Sequence, residues 1–229
     1  MPIVPAPSAA RSELLGRVAD SVRALDGSRV RRVAVDGVDG AGKTVFADEL
    51  ARELTAGGTT VVRASVDGFH HPREVRYRRG RASPDGFYLD SYDYATLRAQ
   101  LLDPLGPEGS RRFRTAAWDW RSDSPVDPPE QRADPGDVLV LDGIFLHRSE
   151  LSGSWELTVW LEVPFAVAYA RMSERVGTPS DPQHESNRRY LDGQRRYLAE
   201  CDPAAHASIV VDNSDLQKPV IVERGEALT

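Results

Sequence analysis

Gly37-Val38-Asp39-Gly40-Ala41-Gly42-Lys43-Thr44 lies between two segments of different character. Ahead of it, Arg32-Val33-Ala34-Val35-Asp36 reads as a buried strand. Behind it, Val45 to Leu54 reads as a helix with Val45, Phe46, Leu50 and Leu54 on one face. A strand, a glycine-rich turn and a helix together let a backbone wrap around phosphate. The glycines remove the Cβ atoms that would hold the chain off the anion. Successive N–H groups then point inward, and the helix N-terminus adds partial positive charge. The stretch matches G-x-x-x-x-G-K-[ST] in full, with Lys43 placed for the outer phosphates and the Thr44 hydroxyl for magnesium. Gly37, Asp39, Gly40, Ala41, Gly42, Lys43, Thr44 and Val45 are therefore expected to hold ATP with Mg2+. The plainer alternative is an ordinary turn with an incidental lysine, and the agreement of the pattern with both flanks argues against it.

Outward from this loop the chain alternates strands and helices. Upstream, Ser12 is placed to cap a helix carrying Leu14, Leu15, Val18, Val22 and Leu25 and closed by Gly27. Downstream, Thr59 to Val66 is rich in β-branched residues and reads as a second strand. Asp137 to Gly143 and Leu157 to Val163 give a third and fourth, and Ser208 to Asp212 a short fifth. Pro164 opens a helix to about Val176, Gly177 to Glu185 reads as a flexible loop, and Ser186 to about Glu200 as a further helix. This order predicts an α/β fold with a five-stranded parallel sheet flanked by helices, in one domain over 1–229. Such sheets bind ligands at the carboxyl ends of their strands. The Pro/Ala-rich start, 1–10, is expected to be a flexible tail.

Residues 67–120 break the alternation. The stretch is polar and carries arginines and aromatics, with one short helix expected from Tyr94 to Leu102 before Pro104. A segment of that length between core elements is usually functional, and here it is expected to bind the phosphate acceptor.

The bulk properties narrow the classes. The 229 residues carry a net charge of -6, which lacks the basic footprint of a nucleic-acid binder. One cysteine excludes an intrachain disulfide framework and suits a reducing cytoplasm. No apolar run approaches membrane-spanning length, and the start lacks a signal-peptide layout. The expected partner is a small-molecule hydroxyl acceptor, with neither nucleic acid nor membrane; a homo-oligomer remains compatible with the chain.

Six further groups carry candidate chemistry. Asp142 closes an apolar strand, where a carboxylate can hold magnesium opposite Thr44 or simply begin a turn before Gly143. Asp67 follows the second strand, where it can accept the proton of an attacking hydroxyl or make an Asx turn before Gly68. One of His70 and His71 is expected to line a pocket, since adjacent side chains on an extended segment point apart. Trp118 and Trp120 offer flat faces for a planar substrate ring, or are simply buried under the insertion. Arg73, Arg76, Arg78, Arg79 and Arg81 form a basic run in which anion attraction is plausible for one or two. Arg171, Arg175, Arg188 and Arg189 flank the 177–185 loop, where a helical lid over 171–196 would bring them to the transferring phosphoryl group. The alternative for these four is ordinary surface arginine.

Taken together, the phosphate loop, Asp67-Gly68-Phe69, Trp118-Asp119-Trp120, Asp142-Gly143-Ile144 and the Asp202-Pro203-Ala204 to Val211 stretch resemble the uridine kinase, pantothenate kinase and phosphoribulokinase group of P-loop NTPases. The resemblance covers nearly the whole chain beyond residue 30. It implies Asp67 as catalytic aspartate, with Lys43 and the lid residue Arg175 beside it. It implies nucleobase contacts from Trp118 and Trp120, and acceptor contacts from Phe69, His70, Asp90, Arg175 and Gln194. It puts Arg171 with the nucleotide. A glutamate binds magnesium in uridine kinases where this chain has Asp142, whose shorter side chain suggests a bridging water. The phosphate loop also resembles that of thymidylate kinase, but the Asp-Arg pair which that family places after its second strand is Asp67-Gly68 here. The resulting expectation is a kinase for the 5′-hydroxyl of a uridine- or cytidine-like nucleoside. Pantothenate, a sugar or a specialised metabolite are the alternative acceptors, and an ATP-binding regulator that transfers nothing is the non-enzyme alternative.

Overall fold

The computed structural model describes residues 7–222. Six strands form one sheet: β1 (Arg31–Gly37), β2 (Val61–Ser65), β3 (Val138–Gly143), β4 (Leu157–Glu162), β5 (Ile209–Asp212) and β6 (Val220–Ile221). Their spatial order is β6-β5-β4-β1-β3-β2. The five expected strands are parallel to their neighbours. The sixth, β6, runs antiparallel on the edge beside β5, and its two β-branched residues are too short a run to have been expected as a strand.

The middles of the central strands are apolar because both faces are covered. Val33, Ala34 and Val35 of β1 and Leu139, Val140 and Leu141 of β3 are fully buried. The helices α1 (Ala9–Arg23) and α2 (Lys43–Ala56) supply Val18, Val22, Phe46, Leu50 and Leu54 to the same core. Each such side chain stabilises the fold by about 1.5–3 kcal/mol. Two expectations need correction. Ser8, not Ser12, caps α1 by accepting the Arg11 N–H at 3.1 Å, so Ala9 and Ala10 are helical. The rest of the expected tail, 1–6, lies outside the described residues. Val45 is 39% exposed and is not on the core face of α2, because the helix already begins at Lys43 and turns Val45 toward the loop side.

Three more helices frame the site: α3 (Pro84–Asp90), α4 (Phe165–Val176) and α5 (Arg188–Cys201). Helix α3 was not expected from the sequence, although Ser83 caps it and Pro84 opens it. It packs tightly on α5: a Cβ on Gly193 would stand 2.8 Å from the Phe87 ring. The insertion thus has apolar packing of its own, through Phe87, Tyr88, Tyr92, Tyr94 and Leu97, continuous with the main core. Tyr94–Leu97 is helical as expected and widens into a π turn over Arg98–Leu102.

Candidate active site

Strand register brings the separate motifs together. Asp36 of β1 pairs with Gly143 of β3, and Ser65 of β2 with Asp142. The phosphate loop, Asp142 and Asp67 therefore emerge at neighbouring strand ends and line one cavity of about 700 Å3.

The loop is held from beneath. Gly40 has φ 80°, and a Cβ there would stand 2.3 Å from the Ala168 carbonyl oxygen, so only glycine fits. The Gln194 side-chain oxygen accepts the Asp39 N–H at 2.7 Å, and Asn213 Nδ2 donates to the Ala41 carbonyl at 2.7 Å. At the loop's root, Asp36 Oδ1 accepts the Gly37 N–H at 2.7 Å. Its Oδ2 meets His147 Nδ1 at 2.8 Å and accepts the Tyr197 hydroxyl, which ties the loop to α5. These supports leave the inner surface of the loop free to act as a rigid anion cradle.

Around the cavity, Lys43 Nζ donates to the Val38 carbonyl at 2.9 Å within its own loop. Thr44 Oγ1 donates to Asp142 Oδ2 at 2.7 Å, and Arg63 Nη2 donates to Asp142 Oδ1 at the same distance. This oxygen-rich pair suits a hard cation that keeps most of its waters. Among the described residues no cluster of three or more His, Cys, Asp or Glu could cage a metal. Thr44 and Asp142 could therefore hold magnesium only together with water and phosphate oxygens, and Arg63 occupies the carboxylate oxygen that a direct bidentate contact would need.

Asp67 is exposed at the opposite wall, where the Tyr92 hydroxyl donates to its Oδ1 at 3.3 Å. Tyr92 is buried, and burial together with the Asp67 and Asp39 charges pushes its pKa well above the usual phenol value, so it remains a donor. Asp39 faces the same space. Burial raises its pKa, Lys43 opposes that shift, Asp67 adds to it and Arg175 opposes it. The carboxylates Asp39, Asp67, Asp142 and Glu174 and the cations Lys43, Arg171 and Arg175 thus line one cavity, a constellation able to bind a hydroxyl between a proton acceptor and a phosphate cradle.

Several expected residues are placed elsewhere. Phe69 is 1% exposed and belongs to the core. Gln194 is fully buried and supports Asp39 from behind. Asp90 is 2% exposed, and its carboxylate is held by Arg78 and by Arg79 at 2.8 Å rather than presented to the cavity. Trp118 donates its indole N–H to Asp123 at 3.4 Å, Trp120 lies under the Arg121 guanidinium, and neither lines the cavity. His70 stacks between Tyr92 and Trp120, with its Nδ1 3.0 Å from the Asp67 carbonyl oxygen, and burial lowers its pKa.

Of the lid arginines, Arg171 and Arg175 line the cavity. Arg171 Nη2 donates to the Asn213 and Ser214 carbonyls at 2.9 and 2.7 Å, and burial lowers its pKa. Arg189 points away, into the insertion. The residues the sequence reading passed over are Arg63, Tyr92, Asn213 and the Asp36–His147–Tyr197 group. Arg63 carried a signal, as a lone charge in the middle of an apolar strand.

No family model matches the chain. It is 22% identical over 197 residues to a uridine kinase from Leuconostoc citreum, covering 86% of this chain and 89% of that protein. Its fold matches the structure of a possible uridine kinase from Bacillus stearothermophilus with TM-score 0.68 and 20% identity, covering 86% of this chain and 97% of that one. It also matches phosphoribulokinase from Rhodobacter spheroides with TM-score 0.55 and 16% identity, covering 81% and 70% of the two chains. By its phosphate loop, its sheet order and these similarities, the chain has the fold of the P-loop kinases and is similar in sequence to uridine kinases.

Proposed function

We propose that the protein transfers the γ-phosphoryl group of ATP, with magnesium, to a hydroxyl of a small metabolite. The observation that carries this reading is the placement of Asp67 across one cavity from Lys43, Thr44 and Asp142. A nucleotide-binding regulator needs the cradle but not an exposed carboxylate opposite it.

In this reading the loop amides and Lys43 bind the β- and γ-phosphates. Thr44 and Asp142 would hold magnesium, which supplies charge neutralisation on the phosphate oxygens when bound. Asp67, oriented by Tyr92, accepts the proton as the acceptor oxygen attacks in line. Arg171 and Arg175 offset charge on the transferring group. The lid over 171–196 excludes water that would otherwise hydrolyse ATP.

The acceptor that the relatives suggest is a uridine- or cytidine-like nucleoside. A second reading, a non-aromatic acceptor such as pantothenate, a sugar or a specialised metabolite, is favoured by one observation: neither Trp118 nor Trp120 lines the cavity. ADP release measured over nucleosides, pantothenate and sugars decides between them. ADP release with none of these, despite ATP binding, would favour the regulator.

A further inference from the structure

Large apolar side chains left in the open need a reason when they share one cavity. Val45 is 39% exposed and Leu216 40%, and both line the cavity at the phosphate loop, together with Met172. The sheet order shows which end of that cavity Leu216 occupies. Asp67 follows β2 and Leu216 follows β5, and these strands lie on opposite sides of β1, whose end carries the loop. Phosphates on the loop thus leave the Asp67 end for the acceptor and the Leu216 end for the base of the donor. Leu216 is also close to the loop itself, since a Cβ on Gly42 would stand 3.6 Å from its Cδ2.

Leu216 lies on an irregular segment, 213–219, between β5 and β6, so side chains from elsewhere must hold it. Arg171 of α4 donates to the Asn213 and Ser214 carbonyls, and Ser8 to the Gln217 carbonyl. The central anchor is Arg11 of α1, which is 3% exposed. Its Nε pairs with Glu49 of α2 at 2.6 Å, a contact that offsets its charge and would suffice to join the two helices. Its Nη1 reaches further. It donates to Asn213 Oδ1 at 3.1 Å and to the Leu216 carbonyl at 3.3 Å. Asn213 is fully buried, and its Nδ2 donates to the Ala41 carbonyl of the loop. One guanidinium therefore sets where Leu216 stands relative to the loop. The fixed fork of an arginine suits these divergent contacts, which an ammonium on a flexible stem does not reproduce.

We propose that Arg11 is a positioning residue for the donor: it holds the Leu216 wall where the base packs, so that the site takes a nucleoside triphosphate in preference to inorganic tripolyphosphate. Arg11 does not itself line the cavity and acts through Leu216. The loop takes the phosphates, while Val45, Met172 and Leu216 cover apolar surface of the base. The proposal rests on the kinase reading and deepens it, by assigning the N-terminal helix α1 to the nucleotide site.

Two measurements test it, both with magnesium and without any acceptor. In the first, dissociation constants of a non-hydrolysable ATP analogue and of inorganic tripolyphosphate are compared in wild type and Arg11→Lys, which can keep the ion pair to Glu49 but loses the fork. The variant is expected to weaken the analogue about tenfold and to leave tripolyphosphate within about twofold. Equal weakening of both, or of neither, overturns the proposal. The second is a double-mutant cycle with Leu216→Ala, an exposed position whose truncation spares the core. Leu216→Ala alone should also weaken the analogue and spare tripolyphosphate, and Arg11→Lys should add little in its presence. Additive effects on the analogue overturn the proposal, because a general loss of stability in Arg11→Lys would act in both backgrounds alike. Wild-type protein that binds tripolyphosphate as tightly as the analogue overturns the base wall and leaves the kinase reading standing. Failure to bind either ligand would instead remove the kinase reading.

Discussion

Arg63 Nη2 lies 2.7 Å from Asp142 Oδ1, while Thr44 holds the other oxygen of the same carboxylate. Asp142 is 2% exposed, so both contacts act in a largely dry environment. Arg63 also pairs with Asp48 of α2 at 2.8 Å, which braces it between β2 and the helix after the loop. Its role is to fix the direction in which Asp142 presents its oxygens. Arg63→Met is expected to weaken magnesium binding by about 10–100-fold, the usual cost of losing a partner that orients a metal ligand. Manganese binding to the ADP complex, followed by spin resonance, reads this directly. Unchanged affinity would reduce Arg63 to a structural ion pair.

Gln194 connects α5 to the loop by accepting the Asp39 N–H at 2.7 Å, while its Nε2 donates to the Tyr190 carbonyl of its own helix at 3.0 Å. Gln194→Leu keeps the volume and leaves the Asp39 N–H short of a partner, while the Tyr190 carbonyl keeps the helical backbone N–H of position 194. A stability loss of about 1–3 kcal/mol is expected in denaturant titration. The KM for ATP should rise as well, because the loop loses its brace. A variant that loses stability but keeps its KM would show that the brace does not reach the phosphate site.

Asp39 gives a pH signature. Its folded pKa is raised above the ordinary 3.8, chiefly by burial. The native state therefore binds its proton more tightly than the unfolded chain, and stability falls as pH rises from about 3.8 through the folded value. Asp39→Asn removes that loss. The melting temperature of the variant should exceed that of the wild type at pH 7, and the difference should close as pH falls toward 3.8. A constant difference across that range would contradict the assignment.

Trp118 and Trp120 are engaged by Asp123 and Arg121 rather than turned toward the cavity. Replacing both with Ala is expected to leave the KM of any nucleoside acceptor nearly unchanged. Stacking on a base is worth about 1–3 kcal/mol. A rise of tenfold or more, about 1.4 kcal/mol, would therefore restore them to the acceptor site.

The phosphate loop was legible because its function is carried by backbone shape, which glycine spacing records directly. Asp67 and Asp142 were legible because a parallel sheet places strand ends together, and both follow apolar strands. What failed needed direction rather than position. Trp118 and Trp120 have the composition of a ring clamp, but which way an indole faces depends on the Trp118–Asp119 and Ser124–Pro125 pairing, which local sequence does not encode. Gln194 and Asp90 lie in suitable segments but turn inward, the one toward Asp39 and the other toward Arg78 and Arg79. Arg63 could be assigned only once Ser65 was known to stand beside Asp142 across β2 and β3. The β6 edge strand has two residues and no periodicity to read.

In the proposed reaction Asp67 takes the acceptor proton during phosphoryl transfer. The measurement that tests it most directly compares wild type and Asp67→Asn in a single turnover, with ATP binding measured on the same samples. Unchanged ATP affinity is expected, with a transfer rate lower by about 10²–10⁴-fold, the usual contribution of a positioned general base. Near-normal transfer in Asp67→Asn would contradict it.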